Sequence, residues 1–411
     1  MEILISFLII AEMNRKNLYQ EEKSRYHKRQ ITRRDFLSLS GVISAGVAIT
    51  GSTSSKIASI SLSANKKSKV AIAKVKNYDK QILQQQVRNV FEELGGLGDI
   101  IKPGSRVAIK VNMTGGIKFS GELAKIGINA HWTHPELVRA VCEALKDAGA
   151  KELFIIDGVF EDDTFKIAGY NEIADSLGAR LINLNNPDPY DEFIHQKVGK
   201  DWYVYEEFIF NRLISEVDAF VSIPKMKCHN NCGVTLALKN QIGLVPVKYY
   251  SLDIRPDIRS AMHGIGEEVR TRLSKVIVDL LRARPVDLTI IDGIKTAEGG
   301  EGPWIHSTFR MVEPGIIIAG KNPVSTDSVA TAAMGFNPNS KAFEVPFVSS
   351  DNHLALACDN GLGSNHLEEI EVIGAKLEEV IFPFMPCAKG GYIISEGKLT
   401  EAYHGDKLFY G

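Results

Sequence analysis

Short apolar segments alternate with longer amphipathic ones from residue 69 onward, and this alternation constrains the fold more than any other feature of the sequence. Residues 70–75, 106–111 and 153–156 are apolar runs of the length and composition typical of β-strands. Residues 134–148 lie between two of these runs and carry apolar side chains at helical spacing. Strands separated by helices of this length predict an α/β fold, with a mostly parallel sheet and helices on both faces.

The same alternation continues to about residue 336. It predicts further strands over 217–223, 286–291 and 315–319, and further helices over 81–94, 266–282 and 324–334. Thr133 and Glu136 have the spacing of a capping box at the start of the 134–148 helix. Residues 193–205 interrupt the pattern and predict a β-hairpin. Residues 337–411 are less regular, which indicates a small C-terminal extension packed on an α/β domain of residues 65–336.

Residues 1–64 differ from this domain and predict an export signal. Residues 32–37, with the sequence TRRDFL, resemble the twin-arginine export motif, and the uncharged stretch that follows, 36–55, is rich in Gly, Ala and Ser. That stretch is too short and too weakly apolar for a permanent membrane anchor. We therefore expect the twin-arginine export machinery to deliver the protein to the periplasm or extracytoplasmic space and the signal to be cleaved. The alternative is a basic arm ahead of a buried helix.

A second apolar patch, residues 3–10, precedes the basic region of this signal, which is unusual for such signals. Met13 follows that patch directly. We predict that translation begins at Met13. N-terminal sequencing of the precursor tests this, and a peptide containing residues 3–10 would contradict it.

The composition excludes two classes of protein. The chain has 48 Lys and Arg against 50 Asp and Glu, whereas a nucleic-acid-binding protein normally has a basic excess. With 44% hydrophobic residues among its 411, it also has ample apolar surface to bury, which excludes a disordered chain. Its five cysteines are widely spaced and form no disulfide framework, and no Cys-x-x-Cys-x-x-Cys run encodes a ferredoxin-type iron–sulfur cluster.

Four predicted strands deliver polar residues at their carboxyl ends, where an open parallel sheet binds its ligands. In chain order these ends carry Lys110 and Asn112, then Asp157, then the stretch 224–229, and finally Asp292 with the glycine-rich loop 298–303. Two of the ends share the sequence IIDG, at 155–158 and 290–293, which is a weak sign of an internal repeat. The convergence of four such ends predicts a functional site at this edge of the sheet.

The residue types at this edge favour an anionic ligand. The lysines are Lys110, Lys225, Lys227 and Lys239, and the loop glycines with exposed backbone N–H groups are Gly299, Gly300 and Gly302. Together they predict a site for a small carboxylate or phosphate. The alternative is that the lysines are solvated and the glycines only turn the chain.

The same region offers one hypothesis for a metal site. Cys228, His229 and Cys232 are soft ligands at close spacing, and His131 and His134 are available from elsewhere in the chain. A single Cys-His-x-x-Cys segment without a matching second pair is a weak zinc signature, so a structural role is the alternative. His263 precedes a glycine and is predicted either as a catalytic residue or as a helix cap.

Six segments resemble the family called domain of unknown function 362 (DUF362). They are KVN at 110–112, THPELV at 133–138, VDAFVSIPKMK at 217–227, GVTLALKN at 233–240, IDG at 291–293 and NPVSTD at 322–327. The resemblance implies an α/β domain whose activity is not established as a class. It places motif positions on Lys225, Lys227, His229, Thr235, Lys239, Asn240, Asp292 and Asp327. Many relatives carry an attached ferredoxin-like segment and an iron–sulfur label, and this sequence lacks that segment.

Two hypotheses for function follow. The first is an extracytoplasmic enzyme for a small anionic substrate, with a metal or redox cofactor left open. In it the anion is held by Lys225, Lys227 and Lys239, with Lys110, Asn112, Thr235 and Asn240 completing the site. His229 or His263 moves protons, and Asp292 or Asp327 orients them or binds a metal. The second is a non-catalytic binding protein for an anionic or metal-containing ligand. The enzyme hypothesis requires one cavity lined by Lys225, His229, Lys239, His263 and Asp292.

Overall fold

The computed structural model describes residues 67–253, 255–304 and 308–387, with the short pieces 394–395 and 398–399. The twin-arginine segment, the predicted start at Met13 and the uncharged stretch 36–55 lie outside the described residues. Within the described ranges, none of the helices combines the length and the apolar character that a membrane crossing requires.

A large, mostly parallel sheet forms the centre of the described chain. The strands are β1 (Ser68–Lys74), β2 (Arg106–Lys110), β3 (Glu152–Asp157), β4 (Arg180–Asn183), β5 (Phe193–Lys197), β6 (Glu207–Asn211), β7 (Ala219–Ser222), β8 (Lys227–His229), β9 (Gly233–Thr235), β10 (Leu288–Gly293), β11 (Thr296–Glu298), β12 (Arg310–Val312), β13 (Ile316–Gly320), β14 (Ile370–Gly374), β15 (Ile394–Ser395) and β16 (Lys398–Leu399). In the described residues the sheet has the order β14-β1-β13-β10-β7-β2-β3-β4. Strand β13 runs antiparallel to both neighbours, and the other pairings are parallel. The predicted α/β fold is therefore confirmed.

Helices cover both faces of this sheet. They are α1 (Lys80–Glu93), α2 (Gly116–Ser120), α3 (Pro135–Asp147), α4 (Asp163–Ile167), α5 (Tyr170–Leu177), α6 (Leu213–Glu216), α7 (Ala237–Asn240), α8 (Val247–Tyr250), α9 (Ser260–His263), α10 (Arg272–Ala283), α11 (Pro323–Ala333), α12 (His353–Asp359) and α13 (Leu377–Val380), with short 3-10 helices at Gly121–Asn129, Gln241–Leu244, Gly266–Arg270 and Leu367–Glu369. Side chains alternate along a strand, so Val70 and Ile72 of β1 join the core beneath α10, α11 and α12, while Ala71 and Ala73 join the core beneath α1, α3 and α5. Burial on both faces explains the nearly continuous apolar runs.

The capping box predicted at the start of α3 is wrong. His134 is the N-cap, and its Nδ1 accepts the backbone N–H of Glu136 at 3.1 Å, with Pro135 in the first turn. The hydroxyl of Thr133 does not cap the helix but makes two hydrogen bonds to other segments. It accepts the backbone N–H of Asn112 at 3.0 Å and donates to the carbonyl of Ile223 at 2.6 Å, which joins the ends of β2 and β7.

The predicted hairpin exists, but its second strand lies further along the chain. Strand β5 pairs with β6, so residues 202–205 belong to the connection. The backbone N–H groups of Tyr203, Val204 and Tyr205 donate to the carboxylate of Asp279 on α10 at 2.8, 2.7 and 3.1 Å. This carboxylate replaces a strand partner, because every buried N–H group needs an acceptor. Residues 202–205, whose pattern is typical of a strand, therefore form a loop that is hydrogen-bonded to α10.

Two further boundaries differ from the sequence predictions. The helix predicted over 266–282 begins as the 3-10 helix Gly266–Arg270, and α10 starts at Arg272. In the C-terminal stretch, β14 pairs with β1 and adds an edge strand to the central sheet. The described part of residues 337–411 thus contributes to the same sheet as the preceding residues.

Candidate functional site

A cavity of about 310 Å³ lies where β2 and β3 end. This volume is at the lower end of the range for small-molecule sites, roughly 300–1,000 Å³. Its polar lining includes Lys110, Asn112, Asp157, His229, Lys239, Asn240, Arg259, His263 and Glu301, and its aromatic lining is Phe119, Phe160 and Trp304. The cavity thus lies at the carboxyl edge of the sheet, where the sequence analysis expected the site.

A buried ion pair lies on one wall of the cavity. Lys110 Nζ lies 2.7 Å from Asp157 Oδ1, and both side chains are almost inaccessible to solvent. The ammonium also donates to the carbonyl of Val111 at 2.6 Å and to Asn240 Oδ1 at 3.1 Å. Burial lowers the pKa of Lys110, and the neighbouring carboxylate opposes that shift. The charge of Lys110 is therefore already compensated within the protein.

Two glycines allow this wall to pack closely. A Cβ atom at Gly243 would lie 2.8 Å from Lys110 Nζ and would also collide with Asp157 Oδ1, and one at Gly158 would collide with the guanidinium of Arg259. The backbone N–H of Gly158 donates to the carbonyl of Gly243 at 3.0 Å. The site therefore requires glycine at both positions for steric reasons. The steric role of these two glycines was not predicted from the sequence.

Helix α7 carries Lys239 and Asn240 into the cavity, and a buried carboxylate holds it there. Asp327 of α11 accepts the backbone N–H of Ala237 at 2.9 Å through Oδ1 and that of Leu238 at 2.8 Å through Oδ2. Burial raises the pKa of Asp327, but the two N–H donors oppose that shift and favour the ionised form, in which both oxygens can accept. Asp327 does not line the cavity, so its contact with the site runs through α7.

Lys239 differs from the other lysines of the site. Its side chain lines the cavity and is only partly buried, and within the described ranges the ammonium has no hydrogen-bond or ion-pair partner. Its charge still acts on the neighbouring groups, because it lowers the pKa values of His229 and His263. Its neighbour Asn240 is fully engaged, accepting from Lys110 and Asn112 and donating to Ser222 Oγ. Lys239 therefore supplies the cavity with a cation whose ammonium makes no direct contact in the described residues, although its charge also acts on the carboxylate of Glu301.

His229 and Glu301 form a hydrogen-bonded pair. The backbone N–H of Asn231 donates to His229 Nδ1 at 3.0 Å, so Nε2 carries the proton that points to Glu301 Oε2 at 2.9 Å. Burial lowers the pKa of His229 to about 4, which keeps the ring neutral. Burial alone would raise the pKa of Glu301, but the hydrogen bond from His229 and the charge of Lys239 hold it well below its ordinary value. Trp304 Nε1 donates to the other carboxylate oxygen at 3.2 Å.

His263 has the opposite tautomer. Its Nδ1 lies 3.0 Å from the carbonyl of Arg259 and must donate to it, which leaves the lone pair of a neutral ring on Nε2. Burial lowers the pKa of His263 to about 4, and the charge of Lys239 adds to this shift. Within the described part of the chain, Nε2 makes no hydrogen bond. His263 therefore brings an uncommitted proton acceptor to a cavity that also holds the ammonium of Lys239.

Lys225 and Asp292 lie outside this cavity. They form a fully buried ion pair of 2.9 Å between their side chains, next to Tyr78. Lys227 is also buried away from it and donates to the carbonyls of His131 and Glu301, both at 2.9 Å. Burial lowers the pKa of Lys227 to about 7. Of the five residues that the enzyme hypothesis requires in one cavity, the structure brings together His229, Lys239 and His263 but not Lys225 and Asp292. The hypothesis is therefore wrong in the form that requires all five, and an enzyme would have to use a different set of residues.

The remaining predicted ligand-binding residues also lie outside the cavity lining. Thr235 is buried, and its hydroxyl has no hydrogen-bond partner among the residues that the structure describes. Gly299 has φ of 70° and donates its backbone N–H to the carbonyl of Met385 at 2.9 Å, and Gly302 packs against the ring of Trp304. The loop reaches the cavity through the side chains of Glu301 and Trp304. Its three glycines, Gly299, Gly300 and Gly302, do not line the cavity. Glu301 was not predicted as a site residue, although its position between glycines in this loop was a signal that could have indicated it.

The proposed metal ligands are engaged in other contacts. Cys228 Sγ donates to the carbonyl of Met385 at 3.1 Å and Cys232 Sγ to that of Val234 at 3.6 Å. Burial raises the pKa of both thiols to about 12, which opposes the thiolate form that binds metals. No group of three or more His, Cys, Asp or Glu side chains suited to a metal ion occurs among the residues that the structure describes.

Arg259 is a site residue that sequence reasoning did not identify. Its guanidinium is buried and donates to the carbonyls of Val245 and Gly158 at 2.6 and 3.1 Å, and to Asn185 Oδ1 at 3.1 Å. Burial lowers its pKa to about 10. Arg259 also positions His263 through its own carbonyl group. Nothing in the local sequence around it indicates this role, because its partners come from distant segments.

Fold and site together define an α/β protein with a polar, partly aromatic cavity at the carboxyl edge of a mostly parallel sheet. The model of the family described as "Domain of unknown function (DUF362)" matches residues 107–332. The match covers more than half of the chain, and the chain belongs to this family. The resemblance noted in the sequence motifs is thereby confirmed.

Two individual proteins are also similar to this chain. A thylakoid-associated protein of Synechocystis sp. is 26% identical over 317 residues, which is 76% of this chain and 89% of that protein. A crystal structure of a protein from Thermotoga maritima is similar at 11% identity with a TM-score of 0.34. That match covers 74% of this chain and 62% of the other, so this chain spans less than two thirds of that protein.

Proposed function

We propose that this protein is an exported enzyme for a small carboxylate or phosphate substrate, and that Lys239 binds the anionic group. The supporting observation is that Lys239 lines the cavity without a partner in the described residues, whereas Lys110 is paired with Asp157. The ammonium of Lys239 makes no direct hydrogen bond or ion pair among the described residues, so its N–H groups are available to a ligand. A carboxylate or phosphate of the ligand supplies both the opposite charge and the acceptor atoms.

In this proposal His263 accepts a proton from the substrate through Nε2. With a pKa of about 4 the free imidazole is a weak base, because burial and the charge of Lys239 both disfavour its protonated form. A bound anion offsets the charge of Lys239 and raises the pKa of His263 towards the pH of the surroundings. Substrate binding thereby makes His263 a stronger base when it is needed.

The other predicted catalytic residues take different roles here. His229 donates to Glu301 and keeps that carboxylate in place, while Asp327 holds the helix that carries Lys239. Asp292 neutralises Lys225 outside the cavity. The alternative of a non-catalytic binding protein uses the same anion site. The open Nε2 of His263 favours the enzyme, because it can accept a proton from a bound substrate.

Calorimetric titration with inorganic phosphate and with acetate tests the anion site. The variants are Lys239→Gln and, as a matched control, Lys151→Gln, an exposed lysine at the start of β3 and so at the opposite edge of the sheet. We expect saturable binding that weakens about tenfold or more in Lys239→Gln, a loss of about 1.4 kcal/mol, and is unchanged in the control. Equal affinities in the wild type and Lys239→Gln would overturn the proposed site.

Turnover separates the enzyme from the binding protein. A panel of small phosphate esters and hydroxy- or keto-carboxylates is followed by NMR with the wild type and with His263→Asn. Conversion of a panel member that is lost in His263→Asn supports the enzyme. Anion binding without conversion of any of these compounds favours the binding protein.

Export to an extracytoplasmic space is proposed from the motif at 32–37 and is supported by the thylakoid-associated relative, whose name places it at a membrane system. The test is cell fractionation of the full-length precursor and of a variant with Arg33→Lys and Arg34→Lys. We expect the variant to stay in the cytoplasm. Equal export of both forms would contradict a twin-arginine signal.

A further inference from the structure

Three aromatic rings line the same cavity as Lys239 and His263. The ring centroids of Phe119 and Phe160 lie 5.5 Å apart at an angle of 68°, and those of Phe119 and Trp304 lie 6.5 Å apart at 67°. These are edge-to-face contacts between neighbouring rings. The three side chains therefore form one continuous aromatic surface in the cavity.

The protein holds the ring of Trp304, at one end of this surface, in a defined orientation. Trp304 Nε1, the one polar atom of the indole ring, donates a hydrogen bond to Glu301 Oε1 at 3.2 Å. Two glycines lie against the ring, and a Cβ atom at Gly115, where φ is 88°, or at Gly302 would collide with it. The backbone thus leaves space for a ring that is only partly buried and lines the cavity.

The aromatic surface continues into the cationic part of the cavity. The guanidinium carbon of Arg259 lies 5.8 Å from the centroid of Phe160. Arg259 lines the cavity together with Lys239. A site for a simple inorganic anion needs cations and N–H groups but no exposed rings, whereas this cavity combines the ammonium of Lys239, which makes no direct contact in the described residues, with an aromatic surface.

We infer that the substrate is a compound with one aromatic ring and one carboxylate or phosphate, the ring packing on Phe119, Phe160 and Trp304 and the anionic group lying at Lys239. This inference rests on the proposed anion site. The cavity volume of about 310 Å³ suits one ring with a short anionic substituent. Packing of a ligand ring on protein rings adds a directional contact to the burial of its apolar area.

Matched pairs of stable anions test the inference in the unmodified protein. Calorimetry compares methylphosphonate with phenylphosphonate and acetate with benzoate, and inorganic phosphate serves as the reference. We expect the aromatic member of at least one pair to bind about tenfold tighter or better, about 1.4 kcal/mol. Equal or weaker binding of both aromatic members would overturn the inference while leaving the anion site intact. Failure of all five anions to bind would instead overturn the proposed function.

A variant assigns the preference to the aromatic surface. Phe119→Leu keeps an apolar side chain and removes one ring. We expect the preference for the aromatic anion to fall to about threefold or less while the affinity for inorganic phosphate is retained. An undiminished preference would place the ligand ring elsewhere and overturn the inference.

If Phe119→Leu does not fold, a second variant, Trp304→Phe, takes its place, and the readout is the quenching of tryptophan fluorescence by benzoate. We expect the quenching to disappear in Trp304→Phe and to persist in Trp202→Phe, the control at an exposed tryptophan. Quenching that persists in Trp304→Phe would overturn the inference.

Discussion

The ammonium nitrogen of Lys225 lies 2.9 Å from Oδ2 of Asp292, and neither side chain is accessible to solvent. The same nitrogen donates to the hydroxyl of Tyr78 at 3.1 Å and to the carbonyls of Ile128 and Lys295 at 3.0 and 2.8 Å. Tyr78 in turn donates to Asp292 Oδ1 at 2.8 Å. Burial lowers the pKa of Lys225, and the carboxylate opposes this shift. The pair is a satisfied internal network and has no free group for a ligand.

A second pair with the same sequence context lies on the next two strands of the sheet, β2 and β3, and does line the cavity. Lys110 and Asp157 are 2.7 Å apart, and Asp157, like Asp292, is the third residue of an IIDG segment. Each aspartate thus pairs with a lysine from the neighbouring parallel strand or its extension. The two pairs differ in what covers them, because Tyr78 contacts only the Lys225–Asp292 pair.

Replacement of Lys225 by methionine is predicted to destabilise the protein strongly. The change leaves Asp292 buried without its cation, which typically costs about 3–5 kcal/mol. Replacing both partners, as Lys225→Met with Asp292→Leu, costs less than the sum of the single changes because no charge is left unpaired. Urea unfolding of the three variants measures this. Additive losses in the double variant would contradict a coupled pair.

Asp327→Asn is predicted to weaken anion binding without touching the cavity. An amide accepts one of the two backbone N–H groups of α7 and presents its own N–H to the other, at a typical cost of about 1–3 kcal/mol of stability. The helix that carries Lys239 then loses its fixed position, and the affinity for inorganic phosphate falls. The control is Thr331→Val, which removes a hydroxyl that bonds only within α11. Equal phosphate affinities in Asp327→Asn and the control would contradict the positioning role.

The stability of the protein is predicted to depend on His263 between pH 6.5 and 4. The pKa of this imidazole is about 4 in the folded protein against an ordinary 6.5, so the unfolded chain binds more protons between these values. Its contribution is complete above pH 6.5 and is lost as the pH falls towards 4, by at most about 1.4 kcal/mol per pH unit. Urea unfolding at several pH values compares the wild type with His263→Asn. We expect the free energy of unfolding of the wild type, minus that of the variant, to decrease as the pH is lowered. A difference that does not change with pH would contradict a buried neutral ring.

The pKa of His263 is predicted to rise when an anion binds. A phosphate at Lys239 offsets the positive charge that helps to keep the pKa of His263 near 4. Proton NMR titration of the imidazole with and without inorganic phosphate measures the shift. In Lys239→Gln the free pKa is already higher and phosphate changes it less. If phosphate does not change the pKa of His263 in the wild type, the anion does not bind next to His263.

Gly243→Ala is predicted to disturb the wall of the cavity. The added Cβ would lie 2.8 Å from Lys110 Nζ and against Asp157, and overpacking of this kind typically costs about 1–3 kcal/mol. Phosphate affinity falls as well, because Asn240 and α7 are bonded to Lys110. Gly98→Ala is the control, since nothing lies within 4 Å of a Cβ there and its φ is not positive. Similar stabilities of the two variants would contradict the steric requirement.

Local pattern was sufficient to predict most of the framework. Strands β2, β3, β10 and β13 and helices α1, α3 and α11 lie within a few residues of their predicted positions, because burial on a given face repeats with the period of the element itself. The strand predicted at 202–205 was wrong because three of its N–H groups found their acceptor in Asp279, more than 70 residues away. Such a partner leaves no trace in the local pattern.

By itself the sequence determined the α/β framework, the family, and the strand ends at which Lys110, Lys225, Asp157 and Asp292 appear. Only the tertiary structure decided which of the two lysine–aspartate pairs lines a cavity. It also left Lys239 without a direct partner among the described residues. It brought Arg259 and His263 from one segment, and Glu301 from another, into the same cavity. The physical reason is that exposure and charge compensation depend on neighbours distant in the chain, whereas strand and helix periodicity depends on neighbours a few residues away.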